Sequence, residues 1–215
     1  MIKVVLASHN LHKVREFRAM FKDPKVARAL GDHAFDLLSL RDFPDFVADE
    51  ETGSTFQENA EHKARKAAKQ LNCIALADDS GLVVPALQGA PGIRSARFAG
   101  AGSTDKDCRR ALLAAMSGLG AEQRYGFFEC WLCLAVPDGR SWTTSGVCEG
   151  EILCSERGPG GFGYDSLFLR HEYAKTFGEM DEATKNRISH RRRAFDRIVP
   201  SFVRLFDQQM QHVDS

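Results

Sequence analysis

Asp78 and Asp79 stand side by side in residues 75–84, A-L-A-D-D-S-G-L-V-V. Adjacent carboxylates repel, and such a pair persists where a cation, a proton or strong donors offset the repulsion. The apolar run before them, residues 74–77, reads as a strand. Strand side chains alternate between faces, so only one of the two carboxylates enters a given cleft. The plain alternative is an acidic turn, since D-D-S-G is good turn chemistry. Other groups could supply the offsetting charge. A polar loop, Ser8-His9-Asn10, leads from a strand into a helix whose first turn carries Lys13. A helix N-terminus presents backbone N–H groups and a partial positive charge, which makes a phosphate seat. The alternative there is simple capping by Asn10 or Ser8 with Lys13 solvated. Asn59 and Lys63, four apart on a second helix, share a neighbouring face and can reach one site.

Two further stretches carry chemistry of another kind. Residues 157–168, R-G-P-G-G-F-G-Y-D-S-L-F, form a glycine-dense loop where a backbone can approach a flat ligand. Phe162 and Tyr164 in it can stack on a nucleobase, and Asp165 can accept hydrogen bonds. Lys185 and Asn186 precede the basic run Ser189-His190-Arg191-Arg192-Arg193. By itself that run reads as a solvated face or a weak RNA contact.

The elements that must position these residues follow from periodicity. Residues 2–7 read as a buried strand and 11–21 as a helix, with Val14, Phe17, Met20 and Phe21 on its core face. Between 22 and 49 the pattern is weak: a loop, a short strand near 35–40, and an acidic stretch at 45–51 that reads as solvated. A second helix starts near Thr55, with Thr55 and Glu58 at capping-box spacing and an alanine-rich face. Residues 105–119 read as a third helix, and 125–136 with 141–148 as a hairpin turning at Pro137-Asp-Gly-Arg140. Its aromatics (Phe127, Phe128, Trp131, Trp142) read as core and interface. The last helical region spans 181–206, where Pro200 predicts a kink or reset.

At 215 residues the chain has ample material for a core, in one domain or two small lobes. Lys plus Arg and Asp plus Glu both number 29, so the net charge is zero and any anion site must be local. This argues against a nucleic-acid-binding module. No apolar run approaches transmembrane length, and the N-terminal run is too short for a signal peptide. Six scattered cysteines in a chain with a real core predict reduced thiols and a cytoplasmic protein. Cys130 and Cys133 fall on opposite faces of a strand, which disfavours a C-x-x-C metal or redox site. The P-loop pattern is absent, as is a G-x-G-x-x-G after a strand.

Several stretches together resemble the inosine triphosphate pyrophosphatase (Ham1-like) family. They are S-H-N-L-H-K (8–13), E-T-G-S-T-F-Q-E-N-A-E-H-K-A (51–64), A-D-D-S-G-L (77–82), G-A-P-G-I-R-S-A-R-F (89–98), G-F-G-Y-D (161–165) and K-N-R-I-S-H-R (185–191). They span nearly the whole chain in family order. The resemblance implies an α/β fold, a mixed central sheet flanked by helices, with two lobes around an active-site cleft. It implies hydrolysis of ITP, dITP and XTP to the monophosphate and pyrophosphate, with Mg²⁺ as cofactor and a homodimer as the assembly. By position, Ser8, His9, Asn10, Leu11, His12 and Lys13 match the triphosphate loop. Asp79 matches the catalytic carboxylate and metal ligand, and Glu51 a metal-associated acid, with Glu50 beside it leaving the choice open. Ser80 matches a substrate contact, and Phe162, Gly163, Tyr164 and Asp165 the base loop. Lys185, His190 and Arg191 match residues around base and phosphates. Asp78, Asn59 and Lys63 take supporting places. A 6-oxo purine offers an acceptor where adenine offers a donor, so a donor from His190 or Arg191 would select it. Two alternatives stay open: a Maf-like pyrophosphatase for pyrimidine or modified nucleotides, and a nucleotide-binding regulator that does not hydrolyse.

Overall fold

The computed structural model describes residues 2–31 and 33–211, the side chains of 209–211 excepted. Seven strands form one mixed sheet in the order β2-β1-β3-β4-β5-β6-β7. They are β1 (Ile2–Leu6), β2 (Phe35–Ser39), β3 (Ile74–Val83), β4 (Tyr125–Ala135), β5 (Ser141–Ile152), β6 (Phe168–Arg170) and β7 (Lys175–Thr176). β1 pairs in parallel with both β2 and β3, in register Val4 to Leu37 and Val4 to Ile74. β5, β6 and β7 pair antiparallel. The helices are α1 (Leu11–Phe21), α2 (Pro24–Leu30), α3 (Phe56–Leu71), α4 (Asp105–Ala115), α5 (Glu182–Ile188) and α6 (His190–Gln211). Among the described residues no helix is long and apolar enough to cross a membrane.

The chain divides into two compact units: residues 1–79, 131–146 and 192–215, and residues 80–130 and 147–191. The first unit is built on small residues. Ala60, Ala64, Ala67 and Ala68 of α3 are fully buried against Val5, Ala75, Ala77 and Ala135 of the sheet. Alanine has the highest helix propensity, and a face without long side chains lets the helix backbone approach the strands closely. Thr55 caps α3 by accepting from the Glu58 N–H, while the Glu58 carboxylate closes on Ser54 one residue earlier. Elsewhere in this unit Phe21 meets Phe195 and Phe202 edge-on, at centroid distances of 4.8 and 5.4 Å.

The second unit has an aromatic core: Phe128, Tyr164, Phe168 and Phe177 pack with Leu82, Leu112, Met116 and Ile152. Thr104 and Asp107 form a reciprocal capping box at the start of α4.

Several sequence expectations are corrected. The D-D-S-G stretch is not a turn but the middle of the ten-residue strand β3. The segment after Lys22 holds a helix, α2, capped by Asp23 with Pro24 in its first turn. The third helix ends at Ala115, short of 119. The C-terminal helical region breaks at Ser189, whose backbone is extended, whereas α6 continues through Pro200. All six cysteines are free and five are buried. Burial pushes the Cys133 thiol up to about 12, which leaves it inert at neutral pH.

Candidate functional site

In the first unit, Asp78 and Asp79 stand in the middle of β3 with both carboxylates buried, at 3% and 6% exposure. Strand alternation divides them between two helices. Lys13 of α1 reaches Asp78 Oδ2 at 2.9 Å. Lys63 of α3 donates to Asp79 Oδ1 at 2.9 Å, and Asn59, one turn earlier, donates through Nδ2 to Asp79 Oδ2 at 3.0 Å. The four-residue spacing of Asn59 and Lys63 thus puts both on one carboxylate. Lys63 also donates to Glu51 Oε1 at 3.0 Å, so two carboxylates converge on one ammonium. Asn59 accepts in turn from the Gly53 N–H through Oδ1, at 2.9 Å. A Cβ on residue 53 would lie 2.5 Å from that oxygen, which is why a glycine stands there. Asn59 therefore fixes Asp79 and the 51–54 loop with a single amide.

Burial pushes Asp79 above the ordinary carboxylate value, against the pull of Lys63. For Lys63, burial works downward, but Asp79, Asp78 and Glu51 outweigh it and hold the ammonium above its usual value. Asp78, Asp79 and Glu51 thus gather at two lysines, and carboxylates so placed can take a further cation. Among the described residues no group of three or more His, Cys, Asp or Glu could hold a metal unaided. The donor set matches a hard cation that takes one or two carboxylates and completes its shell with phosphates and water. Of the two neighbouring glutamates, both exposed, it is Glu51 that meets Lys63.

The loop before α1 is shaped by Asn10, whose Oδ1 accepts from the N–H groups of His12 and Lys13. Ser8 Oγ accepts from the Asn10 N–H at 3.2 Å. Both capping and an ion-paired lysine are therefore present. Lys13 is not simply solvated, and Asn10 keeps its Nδ2 donor for an anion. His9, Leu11 and His12 are exposed.

The second unit holds the other cluster. Lys185 Nζ meets Asp165 Oδ2 at 2.6 Å, both side chains being buried. The same oxygen accepts the Phe162 N–H at 2.8 Å. A Cβ on residue 161 would fall 2.1 Å from it, at a φ of +75° that only glycine takes freely. Lys185 Nζ lies 4.5 Å from the Phe162 ring centroid and the Arg191 guanidinium 5.9 Å. Arg191 is 1% exposed and donates to Ser80 Oγ at 2.8 Å. His190 stacks on Phe128 at 4.8 Å and 13°. The basic run is thus no uniform solvated face: Ser189, His190 and Arg191 are buried, and of the five only Arg193 is exposed. Tyr164 is turned into the core, and its hydroxyl donates to the Ser95 carbonyl at 2.8 Å. Burial pushes that phenol well up, so it stays a donor. Of the two loop aromatics, Phe162 is the one left partly exposed.

The sequence reading missed two residues. Asp105 Oδ2 accepts the Gly163 N–H at 2.7 Å, and Arg109 Nη1 donates to the Gly163 carbonyl at 2.9 Å. Their only sequence signal is four-residue spacing on a helix.

Comparison with known proteins shows the family of the chain as a whole. Residues 4–201 match the Ham1 family. The dITP/XTP pyrophosphatase of Protochlamydia amoebophila is 50% identical over 201 residues, 92% of this chain and 96% of that protein. That of Desulforamulus reducens is 43% identical over 97% of this chain and 99% of its own. Among solved structures, a HAM1 protein from Coxiella burnetii superposes with a TM-score of 0.82 at 37% identity. It covers 95% of this chain and 100% of that one. The chain belongs to the Ham1 family.

Proposed function

We propose that this protein hydrolyses ITP, dITP and XTP to the monophosphate and pyrophosphate, and so clears them from the nucleotide pool. The observation that carries the reading is Asp79, buried in the middle of β3 and held at both oxygens by Lys63 and Asn59. Relatives named dITP/XTP pyrophosphatase over nearly the full chain support the substrate class.

Phosphate and cation chemistry falls to the first unit. Lys13, Asn10 and the α1 N-terminus offer donors to the triphosphate. Each oxygen of Asp79 accepts one hydrogen bond from its helix partners and keeps a second lone pair. Asp79 uses one to orient water on the α-phosphorus. The water oxygen bonds to that phosphorus as the α-to-β bridging bond breaks, and pyrophosphate leaves with the bridging oxygen. Asp79 also accepts the water's proton; bound metal would keep the carboxylate ionised, a weak base but a good orienter. Asp79 and Glu51 would hold Mg²⁺, which when bound supplies charge to offset the leaving pyrophosphate.

Base recognition falls to the second unit. Phe162 offers a ring for stacking. His190 and Arg191 offer donors to a 6-oxo group, where a 6-amino group would leave a buried donor without its acceptor. Asp165 and Lys185 hold the loop that presents Phe162. The free buried thiols support a reducing, cytoplasmic setting. The family resemblance supports a homodimer, which light scattering would test.

A panel of ITP, XTP, GTP, ATP and dUTP with Mg²⁺ and product identification tests the reading. The expected result is rapid turnover of ITP and XTP alone, yielding monophosphate and pyrophosphate. Diphosphate and inorganic phosphate would place the cleavage at the wrong bond. A preference for dUTP would favour the pyrimidine alternative.

A further inference from the structure

Gly163 sits at a φ of +60° beside Phe162, in the loop assigned above to the base. A glycine there is the most mobile point of the loop unless its peptides are tied. Both are tied from the same helix. Asp105, in the first turn of α4, accepts the N–H of the Phe162–Gly163 peptide at 2.7 Å. Arg109, one turn later, donates to the carbonyl of the Gly163–Tyr164 peptide at 2.9 Å. Arg109 is itself steadied by Glu156, whose Oε2 accepts from Arg109 Nε at 2.8 Å and from Ser166 Oγ at 2.9 Å. The peptide preceding Phe162 is held by Asp165. Both peptide planes flanking Phe162 are therefore fixed, one by Asp165 and one by Asp105. A surface ion pair alone contributes little, but these two side chains converge on one glycine from 54 and 58 residues away.

We propose that Asp105 and Arg109 are positioning residues for base selection, holding the Gly163 peptides and thereby the pose of Phe162. The proposal rests on the reading of 162–165 as the base loop. It concerns no group that touches phosphate, so its effect falls on KM and discrimination rather than on the chemical step.

The test compares Asp105→Ala, Asp105→Asn, Arg109→Ala and Arg109→Lys with the wild type, using dITP and dGTP with Mg²⁺. Each alanine variant is expected to raise KM for dITP about tenfold with kcat changed less than about twofold. The dITP-over-dGTP ratio of kcat/KM should narrow by about tenfold. Asp105→Asn keeps an acceptor oxygen and should restore wild-type behaviour. Arg109→Lys should recover only part, because one ammonium lacks the fork that spans Gly163 and Glu156. Amide hydrogen exchange of Gly163 in the ligand-free protein should quicken about tenfold in Asp105→Ala. Wild-type KM and ratio in both alanine variants would overturn the proposal, as would a kcat loss at unchanged KM. Failure of Asp105→Asn to rescue would do the same. If the wild type itself showed no preference for dITP, the base-loop reading would fall. The Gly163 exchange rate would then still decide whether the brace exists.

Discussion

The two clusters use the same residue types to opposite ends. In the first unit, Asp78, Asp79 and Glu51 gather at Lys13 and Lys63 beside an alanine-packed helix and sheet. In the second, Asp165 and Lys185 pair at 2.6 Å, with the lysine against the Phe162 and Phe177 rings. Clustered carboxylates can take a cation. The buried pair instead fixes a backbone, since Asp165 also accepts the Phe162 N–H. The small-residue packing of α3 gives Asn59 and Lys63 their reach to Asp79, whereas the second unit has a bulky aromatic core. On the function proposed above, chemistry and recognition are separable by substitution.

The largest effect is expected at Asp79. Asp79→Asn should lower kcat on the order of 10²–10⁴-fold with KM nearly unchanged, measured with dITP at saturating Mg²⁺. Its effect on stability should depend on pH, because burial holds the carboxyl above its ordinary value. The sign follows from linkage. With a folded pKa above 3.8, the native state binds the extra proton. Stability from this group therefore falls as pH rises from 3.8 through the folded value. Asp79→Asn should remove that slope from a Tm-against-pH series. An unchanged kcat would break the assignment of chemistry to the first unit.

Next comes Lys63→Met, which removes the ammonium shared by Asp79 and Glu51. Without that pull Asp79 should rise further, so the acid limb of the pH–rate profile should move to higher pH. Lys63 is held above 10.5 in the fold, so its contribution to stability is present at neutral pH and lost only in strong alkali. A lower Tm at pH 7 should accompany the shifted limb. An acid limb that stayed in place would separate Lys63 from the reacting carboxylate.

The matching substitution in the second unit is Lys185→Met. Removing one partner of a buried pair costs about 3–5 kcal/mol of stability, read as a fall in the denaturant midpoint. At temperatures where the variant stays folded, KM for dITP should rise while the acid limb of kcat stays at the wild-type pH. If the limb moved as in Lys63→Met, the division between the units would be wrong.

Much of this was legible in the sequence, because local signals and tertiary outcome agree. α1 spans the residues that its apolar periodicity marks, and the cap of α3 falls on Thr55. What was hidden depended on partners distant in the chain. D-D-S-G has turn propensity, yet it stays extended in β3 because Lys13 and Lys63 offset the two carboxylates. No local signal showed that Lys63 would pair with Glu51 rather than with Glu50. The break at Ser189 carries no glycine or proline, and α2 has only Val26 and Leu30 buried, too few for periodicity to show. Tyr164 read as a stacking ring because composition cannot tell a core tyrosine from a surface one. Its bond to the Ser95 carbonyl decides the matter.

The smallest effect makes the sharpest comparison. Thr55 and Thr104 do the same local work, each accepting one N–H at the start of a helix, α3 in the first unit and α4 in the second. Thr55→Ala and Thr104→Ala should each cost about 1 kcal/mol of stability, the ordinary loss of an N-cap. Their kinetic signatures should differ. Loosening α3 acts on Asn59 and Lys63, so Thr55→Ala should show in kcat. Loosening α4 acts on Asp105 and Arg109, which hold Gly163, so Thr104→Ala should show in KM and in the choice of base. Because the thermodynamic perturbation is matched, a different kinetic outcome comes from what each helix carries rather than from how much stability was lost. Identical kinetic changes in the two variants would mean that α3 and α4 serve one function together.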